Sequence, residues 1–206
     1  MICIVDYGFG NLGSIKNMLK RIGVSSSIES DPDRISAASK LILPGVGAFD
    51  SAMRCINKTK DLREVLDRKA LIERIPVLGI CLGMQLLTNS SEEGGVPGLG
   101  WINAKTKRFC FDQSARMKVP HMGWNKVRAQ RADALLDGFD SDFKFYFVHS
   151  YYVESDPKFS LMKTLYGHEF DSAICRDNIF GVQFHPEKSH KFGMRLLSNF
   201  VTQHHG

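Results

Sequence analysis

The chain has 206 residues, of which 43% are hydrophobic and 24% charged, and its formal net charge is +5. This size and composition suit one globular domain with a sizeable core and exclude a mainly disordered chain. Lysines and arginines are scattered among acidic residues, so we expect no nucleic-acid partner. No stretch approaches the roughly 20 apolar residues of a membrane span. The N-terminus lacks the features of a signal peptide, so we expect a cytoplasmic protein with no membrane partner.

The cysteines argue against a disulfide framework and against a structural zinc site, because their number is odd and no pair has C-x-x-C spacing. They are Cys3, Cys55, Cys81, Cys110 and Cys175. We expect an intracellular chain that needs no metal and no cofactor, and in which one thiol can be reactive.

The first half of the chain alternates strand-like and helix-like segments. Short apolar runs predict strands at residues 2–6, 25–29, 40–43 and 76–80. Helical spacing of apolar residues predicts helices at residues 14–22, 48–56, 62–73 and 84–88. This β-α-β-α order favours a parallel sheet with helices on both faces.

The second half is richer in strands. Turn residues separate strand-like runs at residues 105–111, 125–128, 143–153, 161–166, 170–176 and 179–184. A final helix is predicted at residues 191–203, and no linker divides the chain. We therefore predict a single α/β domain over residues 1–206. Its central, mostly parallel sheet would be flanked by helices, with an antiparallel, hairpin-rich section in the second half.

Residues 8–13, between the first predicted strand and helix, match the pattern G-x-G-x-x-G. Glu29 and Asp31 follow roughly 20 residues later, where a dinucleotide-binding fold has an acid for the ribose hydroxyl. Glycines at such a turn often serve only tight geometry and close packing. A non-catalytic dinucleotide-binding module is therefore one alternative for this chain.

Residues 79–83, with the sequence G-I-C-L-G, lie between a predicted buried strand and a predicted helix, as in a nucleophile elbow. A sharp turn would present Cys81 at the end of the strand, and Gly79 and Gly83 would avoid steric clashes there. The helix N-terminus favours negative charge on the sulfur. The backbone N–H of Leu82 is placed to donate to a developing oxyanion. The alternative interpretation is a buried, inert cysteine.

His185 is the best candidate for the base that a catalytic cysteine needs. It follows an apolar predicted strand and should emerge at the carboxyl edge of the sheet. Glu187 lies two residues on, so in an extended segment both side chains point to the same side. Its carboxylate can then accept a hydrogen bond from the imidazole and stabilise the cationic ring. The joint pattern predicts a catalytic triad of Cys81, His185 and Glu187.

Two further histidines lie in distinctive settings, His121 in P-H-M-G-W-N and His149 in V-H-S-Y. Neither has a carboxylate two residues away, so we assign both to the structure or to a partner surface. His190, His204 and His205 are expected at the surface.

Four stretches together resemble the class I (triad) glutamine amidotransferases. They are residues 44–49 (P-G-V-G-A-F), 79–85 (G-I-C-L-G-M-Q), 120–125 (P-H-M-G-W-N) and 184–189 (F-H-P-E-K-S). The triad motifs are shared by the whole class. The combination of P-H-M-G-W-N with H-P-E-K-S is more specific, and it is similar to the glutaminase subunits of imidazole glycerol phosphate synthases. The resemblance covers nearly the whole chain.

This resemblance implies hydrolysis of glutamine and transfer of the ammonia to a partner, a (βα)8-barrel cyclase subunit, in a heterodimer. The cyclase would use the ammonia to make imidazole glycerol phosphate and aminoimidazole carboxamide ribonucleotide in histidine biosynthesis. Glutamate would be released from the glutaminase subunit.

The resemblance also implies roles for residues at matching positions. The oxyanion strand would be formed by Gly45, Val46 and Gly47. Glutamine would be held by Gln85, Glu93 and the backbone around Ser150 and Tyr151. The face toward the partner would carry Asn11, Trp124, Tyr146 and Lys188.

Other details are also similar to a paralogous branch of the same family. They are the sequences D-Y-G at residues 6–8, V-H-S-Y-Y at 148–152 and S-H-K-F-G at 189–193. In that branch the ammonia would serve to amidate a surface-polysaccharide sugar. The site chemistry would be the same, and only the acceptor, which binds elsewhere, would differ. A stand-alone cysteine hydrolase of the same fold is a further alternative.

Overall fold

A mixed β-sheet organises the computed structural model, which describes residues 1–112, 117–139 and 142–202. The strands in these ranges are β1 (Ile2–Val5), β2 (Ser26–Glu29), β3 (Lys40–Leu43), β4 (Val77–Ile80), β5 (Ser90–Ser91), β6 (Ala104–Arg108), β7 (His121–Ala129), β8 (Phe143–His149), β9 (Tyr151–Ser155), β10 (Ser160–Tyr166), β11 (His168–Arg176) and β12 (Ile179–Val182). The α-helices are α1 (Leu12–Arg21), α2 (Pro32–Ser36), α3 (Phe49–Lys58), α4 (Leu62–Asp67), α5 (Leu82–Leu86) and α6 (His190–Thr202).

The sheet is parallel in one half and antiparallel in the other. Its strand order is β2-β1-β3-β4-β12-β11-β10-β7-β8, and β5, β6 and β9 branch from this path through the pairing of β9 with β11. The strands from β2 to β12 pair in parallel, and those from β12 to β8 pair in antiparallel fashion. The predicted α/β fold, with an antiparallel section in the second half, is confirmed.

Successive residues of the parallel strands point to opposite faces and so build two core layers. On β1, Cys3 and Val5 pack into one layer, whereas Ile2 and Ile4 pack into the other. The first layer is covered by α3 and α4, and the second by α1 and α6. Cys3 is therefore a packing residue.

Two predicted elements differ from the structure in an informative way. The helix predicted at residues 62–73 is α4 followed by a π-helical turn, Arg68–Ile72, in which the Glu73 N–H donates to the Arg68 carbonyl. The strand predicted at residues 143–153 is interrupted at Ser150. There the chain leaves β7, with which β8 pairs, and joins β6 and β11 through β9. The break at Ser150 is set by which distant strands pair with each half of the segment, and local sequence does not encode that pairing.

Within the described ranges, none of the helices combines the length and the apolar character needed to cross a bilayer. Residue 203 of the predicted last helix, together with His204 and His205, lies outside the described residues. His190 is exposed, as expected.

The close approach of α5 to the end of β3 fixes the turn that follows β4. A Cβ atom at Gly83 would lie 1.8 Å from the backbone oxygen of Leu43, and one at Gly79 would lie 2.6 Å from the backbone oxygen of Gly83. The chain can therefore turn sharply after Ile80 only because both positions lack a side chain.

We expect Gly83→Ala to lower the free energy of unfolding by about 3 kcal/mol or more, because its Cβ would collide with backbone atoms that cannot move freely. Urea unfolding followed by circular dichroism measures this change. Gly13→Ala in α1 is the matched control, since a Cβ there meets no atom within 4 Å. The control should raise stability by up to about 1 kcal/mol. An unchanged unfolding midpoint for Gly83→Ala would contradict the packing argument.

Candidate active site

A cavity of about 240 Å³ opens at the carboxyl edge of the parallel strands. Strands β3, β4 and β12 are neighbours in the sheet, so the segments that follow them meet at this edge. The residues that line the cavity are Val46, Gly47, Cys81, Leu82, Gln85, Glu93, Pro120, Val148, His149, Ser150, Tyr151 and His185. Most of the residues predicted for catalysis and glutamine binding are thus brought together.

Cys81 occupies the turn between β4 and α5 in a strained backbone conformation. Its φ of 55° and ψ of −108° lie in a region that residues with a side chain seldom adopt. The turn is held because the Cys81 N–H donates to the carbonyl of Val182 at 2.7 Å. The side chain is nearly buried, and the Nε2 of Gln183 lies 3.7 Å from Sγ. This is the geometry of the predicted elbow.

His185 follows β12 and shares the cavity with Cys81. Its Nδ1 lies 2.7 Å from Oε1 of Glu187, and each of these two side chains is only 2% exposed. The Nε2 of His185 is buried and, within the described part of the chain, has no hydrogen bond to an oxygen or nitrogen atom. Since Glu187 occupies the far side of the ring, Nε2 is free to exchange a proton inside the cavity.

The charge on His185 is set by two opposing effects. Burial by itself lowers the pKa of this imidazole, but Cys81 and Glu187, through hydrogen bonds and negative charge, raise it to about 10. The arrangement therefore favours a protonated imidazole on His185, beside Cys81.

The segment that follows β3 forms another wall of the cavity. Val46 and Gly47 line it directly. Gly45 lies behind them, where an added Cβ would be 2.7 Å from Cβ of Leu82. The hydroxyl of Tyr7, which is buried, donates to the carbonyl of Pro44 and so fastens the segment at its base. Of the three residues predicted for the oxyanion strand, Gly45 is the one that does not line the cavity.

The two side chains predicted to hold glutamine have defined partners. The Nε2 of Gln85 donates to the carbonyl of Tyr151 at 3.2 Å and to Oε1 of Gln183 at 3.1 Å. Glu93 accepts from the N–H of Phe49, the first residue of α3, at 2.9 Å. Burial raises the pKa of the Glu93 carboxyl, although the bond from Phe49 opposes this. Both side chains thus face the cavity from fixed positions.

The residues predicted to face a partner lie outside the cavity. Trp124 is 42% exposed, so it is not a core aromatic residue. Its ring is stacked on that of His190, with centroids 5.5 Å apart, and Tyr146 lies beside it. The ammonium group of Lys188 is 5.8 Å from the centre of the Tyr146 ring. Trp124, Tyr146, His190 and Lys188 form one surface group, here termed the aromatic patch.

Asn11, the remaining residue of the predicted partner face, is exposed at the start of α1. Its side chain accepts from the N–H of Ser14 at 3.3 Å and so caps the helix. In the same loop, an added Cβ at Gly10 would lie 3.1 Å from Cβ of Pro44 and 3.2 Å from the backbone nitrogen of Gly45. Packing against the wall of the cavity therefore accounts for this glycine of the G-x-G-x-x-G pattern.

Sequence analysis missed three buried polar side chains near the cavity, namely Tyr7, His149 and Gln183. Gln183 interrupts an apolar strand two residues before His185, and this polar position is a signal that could have identified it. His149 lines the cavity, although the sequence assigned it only to structure or to a partner surface. No local pattern marks Tyr7, because its contact is made to a residue 37 positions away.

Comparisons with known proteins agree over the full length. A family model described as glutamine amidotransferase class-I matches residues 3–204. The chain is 57% identical over 204 residues to imidazole glycerol phosphate synthase subunit HisH 2 of Methanococcus maripaludis, covering 98% of this chain and 100% of the relative. It is 51% identical over 202 residues to a protein of the same name from Pseudomonas aeruginosa, covering 98% of each.

Solved structures share the fold at much lower identity. A glutamine amidotransferase superposes with a TM-score of 0.75 at 18% identity, over 98% of this chain and 97% of that one. PurLQS from Thermotoga maritima gives 0.74 at 16% identity, over 97% and 96%. Because the family model spans the chain and relatives above 50% identity match it end to end, this protein belongs to the class-I glutamine amidotransferases.

Proposed function

We propose that this chain is the glutaminase subunit of an imidazole glycerol phosphate synthase and that it releases ammonia from glutamine for histidine biosynthesis. The chemistry rests on one observation: Cys81 and His185 face the same cavity while Glu187 is bonded to the far side of the imidazole. The names of the two relatives described above support the pathway.

In this proposal Cys81 is the nucleophile. Its sulfur attacks the side-chain amide carbon of glutamine, and the tetrahedral intermediate collapses when His185 gives a proton to the leaving nitrogen. Ammonia departs and a γ-glutamyl thioester remains on Cys81. Water, deprotonated by His185, then cleaves the thioester and releases glutamate. Glu187 holds the ring in the tautomer that exposes Nε2 to these protons.

Backbone donors would stabilise the negative oxygen of each tetrahedral intermediate. Leu82 is the first residue of α5 and lines the cavity, so its N–H is not used by the helix. The segment Gly45 to Gly47 would supply a second donor when it turns toward the site. The strained turn at Cys81 keeps the nucleophile next to both donors.

The rest of the cavity would bind the amino-acid end of glutamine. The carboxylate of Glu93 suits the ammonium group, and Gln85 and the backbone of Ser150 and Tyr151 offer further polar groups. A cavity of about 240 Å³ is of the size that a small amino acid needs.

The ammonia must reach its acceptor before bulk water protonates and dilutes it, so a partner has to cover this edge of the sheet. We propose a heterodimer with a (βα)8-barrel cyclase subunit, which contacts the aromatic patch and Asn11. The exposure of Trp124 and the cation beside Tyr146 support this face. We further propose that residues 1–206 form one amidotransferase domain and that glutamine hydrolysis stays slow until the partner binds its own substrate.

Removing the nucleophile tests the chemistry. Cys81→Ala should lower glutaminase turnover by at least about 10⁴-fold, because residues of a triad act as a unit. Glutamate release in the presence of the cyclase measures it. Cys110→Ala is the matched control, since that thiol is exposed and lies outside the cavity. Wild-type turnover in Cys81→Ala would exclude the proposed mechanism.

The role of Glu187 predicts a change in pH dependence. Glu187→Gln removes a negative charge from the imidazole, so the pKa of His185 falls and the alkaline limb of kcat/KM for glutamine moves to lower pH. Activity should fall by roughly 10²-fold, less than in His185→Ala, because Glu187 orients the ring but transfers no proton. Glu169→Gln, which changes a half-exposed carboxylate at the surface, is the control. An unshifted alkaline limb would contradict this role.

The identity of the ammonia acceptor requires a genetic test. The surface-polysaccharide branch would use the same catalytic site, and both relatives carry the number 2 in their names. The gene is placed, with the cyclase gene of its own genome, in a histidine auxotroph that lacks the glutaminase subunit. We expect growth without histidine, and none with Cys81→Ala. Failure of the wild-type gene, together with loss of sugar amidation on its deletion in the native host, would transfer the assignment to the polysaccharide branch.

A further inference from the structure

Two buried histidines contact each other beside the cavity, and one of them, His149, lines it. His121 on β7 and His149 at the end of β8 are paired in the strand register, and Nδ1 of His121 lies 2.9 Å from Nε2 of His149. They are only 3% and 5% exposed. The mechanism described above uses neither of them, so their pairing needs its own explanation.

The hydrogen-bond partners of the two rings fix which ring donates in the bond between His121 and His149. Nδ1 of His149 lies 2.6 Å from the carbonyl oxygen of Tyr151, which can only accept, so this nitrogen carries the proton. In a neutral ring the Nε2 of His149 is then an acceptor. His121 must therefore donate to it through Nδ1–H, which leaves the Nε2 of His121 as an acceptor.

Asn125, at the surface end of this series of hydrogen bonds, matches the same direction of donation. Oδ1 of Asn125 accepts from the N–H of Lys126 at 2.8 Å, so its Nδ2 faces inward. That nitrogen lies 3.0 Å from the carbonyl of Leu165 and 3.2 Å from Nε2 of His121. A single direction of donation runs from the amide of Asn125 through both histidines to the carbonyl of Tyr151.

The surroundings keep both rings uncharged at neutral pH. His121 is stacked between Phe147 and Tyr166, with centroids 4.8 and 3.9 Å away, and His149 packs against Phe170. Burial lowers the pKa of His121 to about 4. Burial, together with the charges of His121 and His185, lowers that of His149 to about 3. A neutral pair is what the directional chain requires.

At its other end, at Tyr151, this series of hydrogen bonds connects to the candidate active site. The Tyr151 carbonyl also accepts from Gln85, whose amide donates in turn to Gln183, and the Nε2 of Gln183 lies near the sulfur of Cys81. The backbone changes strand partner at Ser150: β8 pairs with β7 up to His149, and β9 pairs with β6 from Tyr151 onward.

We infer that His121 and His149 are positioning residues that hold the Tyr151 carbonyl, and with it the Ser150–Tyr151 wall, in the geometry that binds glutamine. The inference rests on the proposed function for the meaning of that wall. Alternate residues of β7 face outward, so the strand that carries His121 on its buried side also carries Met122 and Trp124 on its exposed side. The position of the wall thus depends on the strand that bears part of the aromatic patch.

The kinetic test uses three variants in complex with the cyclase. His121→Phe keeps the ring stack but removes the donor to His149, whereas His121→Asn keeps a donor near the position of Nδ1. His168→Phe is the control, because the ring of His168 packs against Phe109 and Tyr152 but takes no part in the series of hydrogen bonds from Asn125 to Tyr151. His121→Phe should raise KM for glutamine about tenfold, the equivalent of one lost buried hydrogen bond, with a smaller effect on kcat. His121→Asn and the control should stay within about twofold of wild type.

A wild-type KM in His121→Phe, or an equal rise in His121→Asn, would overturn the inference. If wild type itself shows no glutaminase activity, the proposed function fails instead, so the two failures are distinguishable.

A spectroscopic readout does not depend on activity or on the folding of His121→Phe. Nitrogen-15 shifts of the imidazoles in the full wild-type chain, assigned with His121→Asn and His149→Asn, should show both rings neutral and protonated at Nδ1 at pH 7. An Nε2–H tautomer or a charged ring at either position would also overturn it.

Discussion

The backbone turn at Cys81 is the constraint on which the rest of the site depends. A residue with a side chain is held at a φ of 55°, which costs free energy that the surrounding sheet must offset. The offset comes from the bond between the Cys81 N–H and Val182 and from the contact of Gly83 with the end of β3. Because β4 lies between β3 and β12, the turn brings Cys81 between the segment after β3 and His185 after β12.

Burial gives this arrangement its chemical character. An imidazole in an apolar cavity would lose its proton, yet the carboxylate of Glu187 behind it and the sulfur of Cys81 in front reverse that tendency. The same burial has the opposite result for His121 and His149, which accept no charge stabilisation from a carboxylate of the described residues and stay neutral. Neighbouring charges thus favour the protonated form of one buried histidine and leave the other two uncharged.

Both halves of the sheet contribute walls to the cavity. The segments that follow the parallel strands carry the proposed nucleophile, its proposed base and the loop proposed to stabilise the oxyanion. Ser150 and Tyr151, which form the opposite wall, come from the break between β8 and β9, where the chain changes strand partners. At this break the Ser150 carbonyl accepts from the N–H of Phe109, and the side chains of Gln85 and His149 add hydrogen bonds to the Tyr151 carbonyl.

The sequence by itself determined the parts of this protein whose signals are local. Cys81 with its two glycines, and His185 two residues before Glu187, could be predicted as site residues because a nucleophile elbow and an i, i+2 pair lie within a few residues of the chain. Most of the longer strands and helices were likewise predicted from periodicity, with ends shifted by a few residues, whereas the short elements α2 and β5 were not.

Tertiary structure alone decided the contacts that join distant segments. Gln85 meets Gln183 across 98 positions, Tyr7 reaches Pro44 across 37, and His121 meets His149 across 28. No spacing rule connects such residues, because strand pairing brings them together only after the sheet has formed. The same reason explains why the sequence predicted one strand over residues 143–153, while the structure breaks it at Ser150 to build the wall of the cavity.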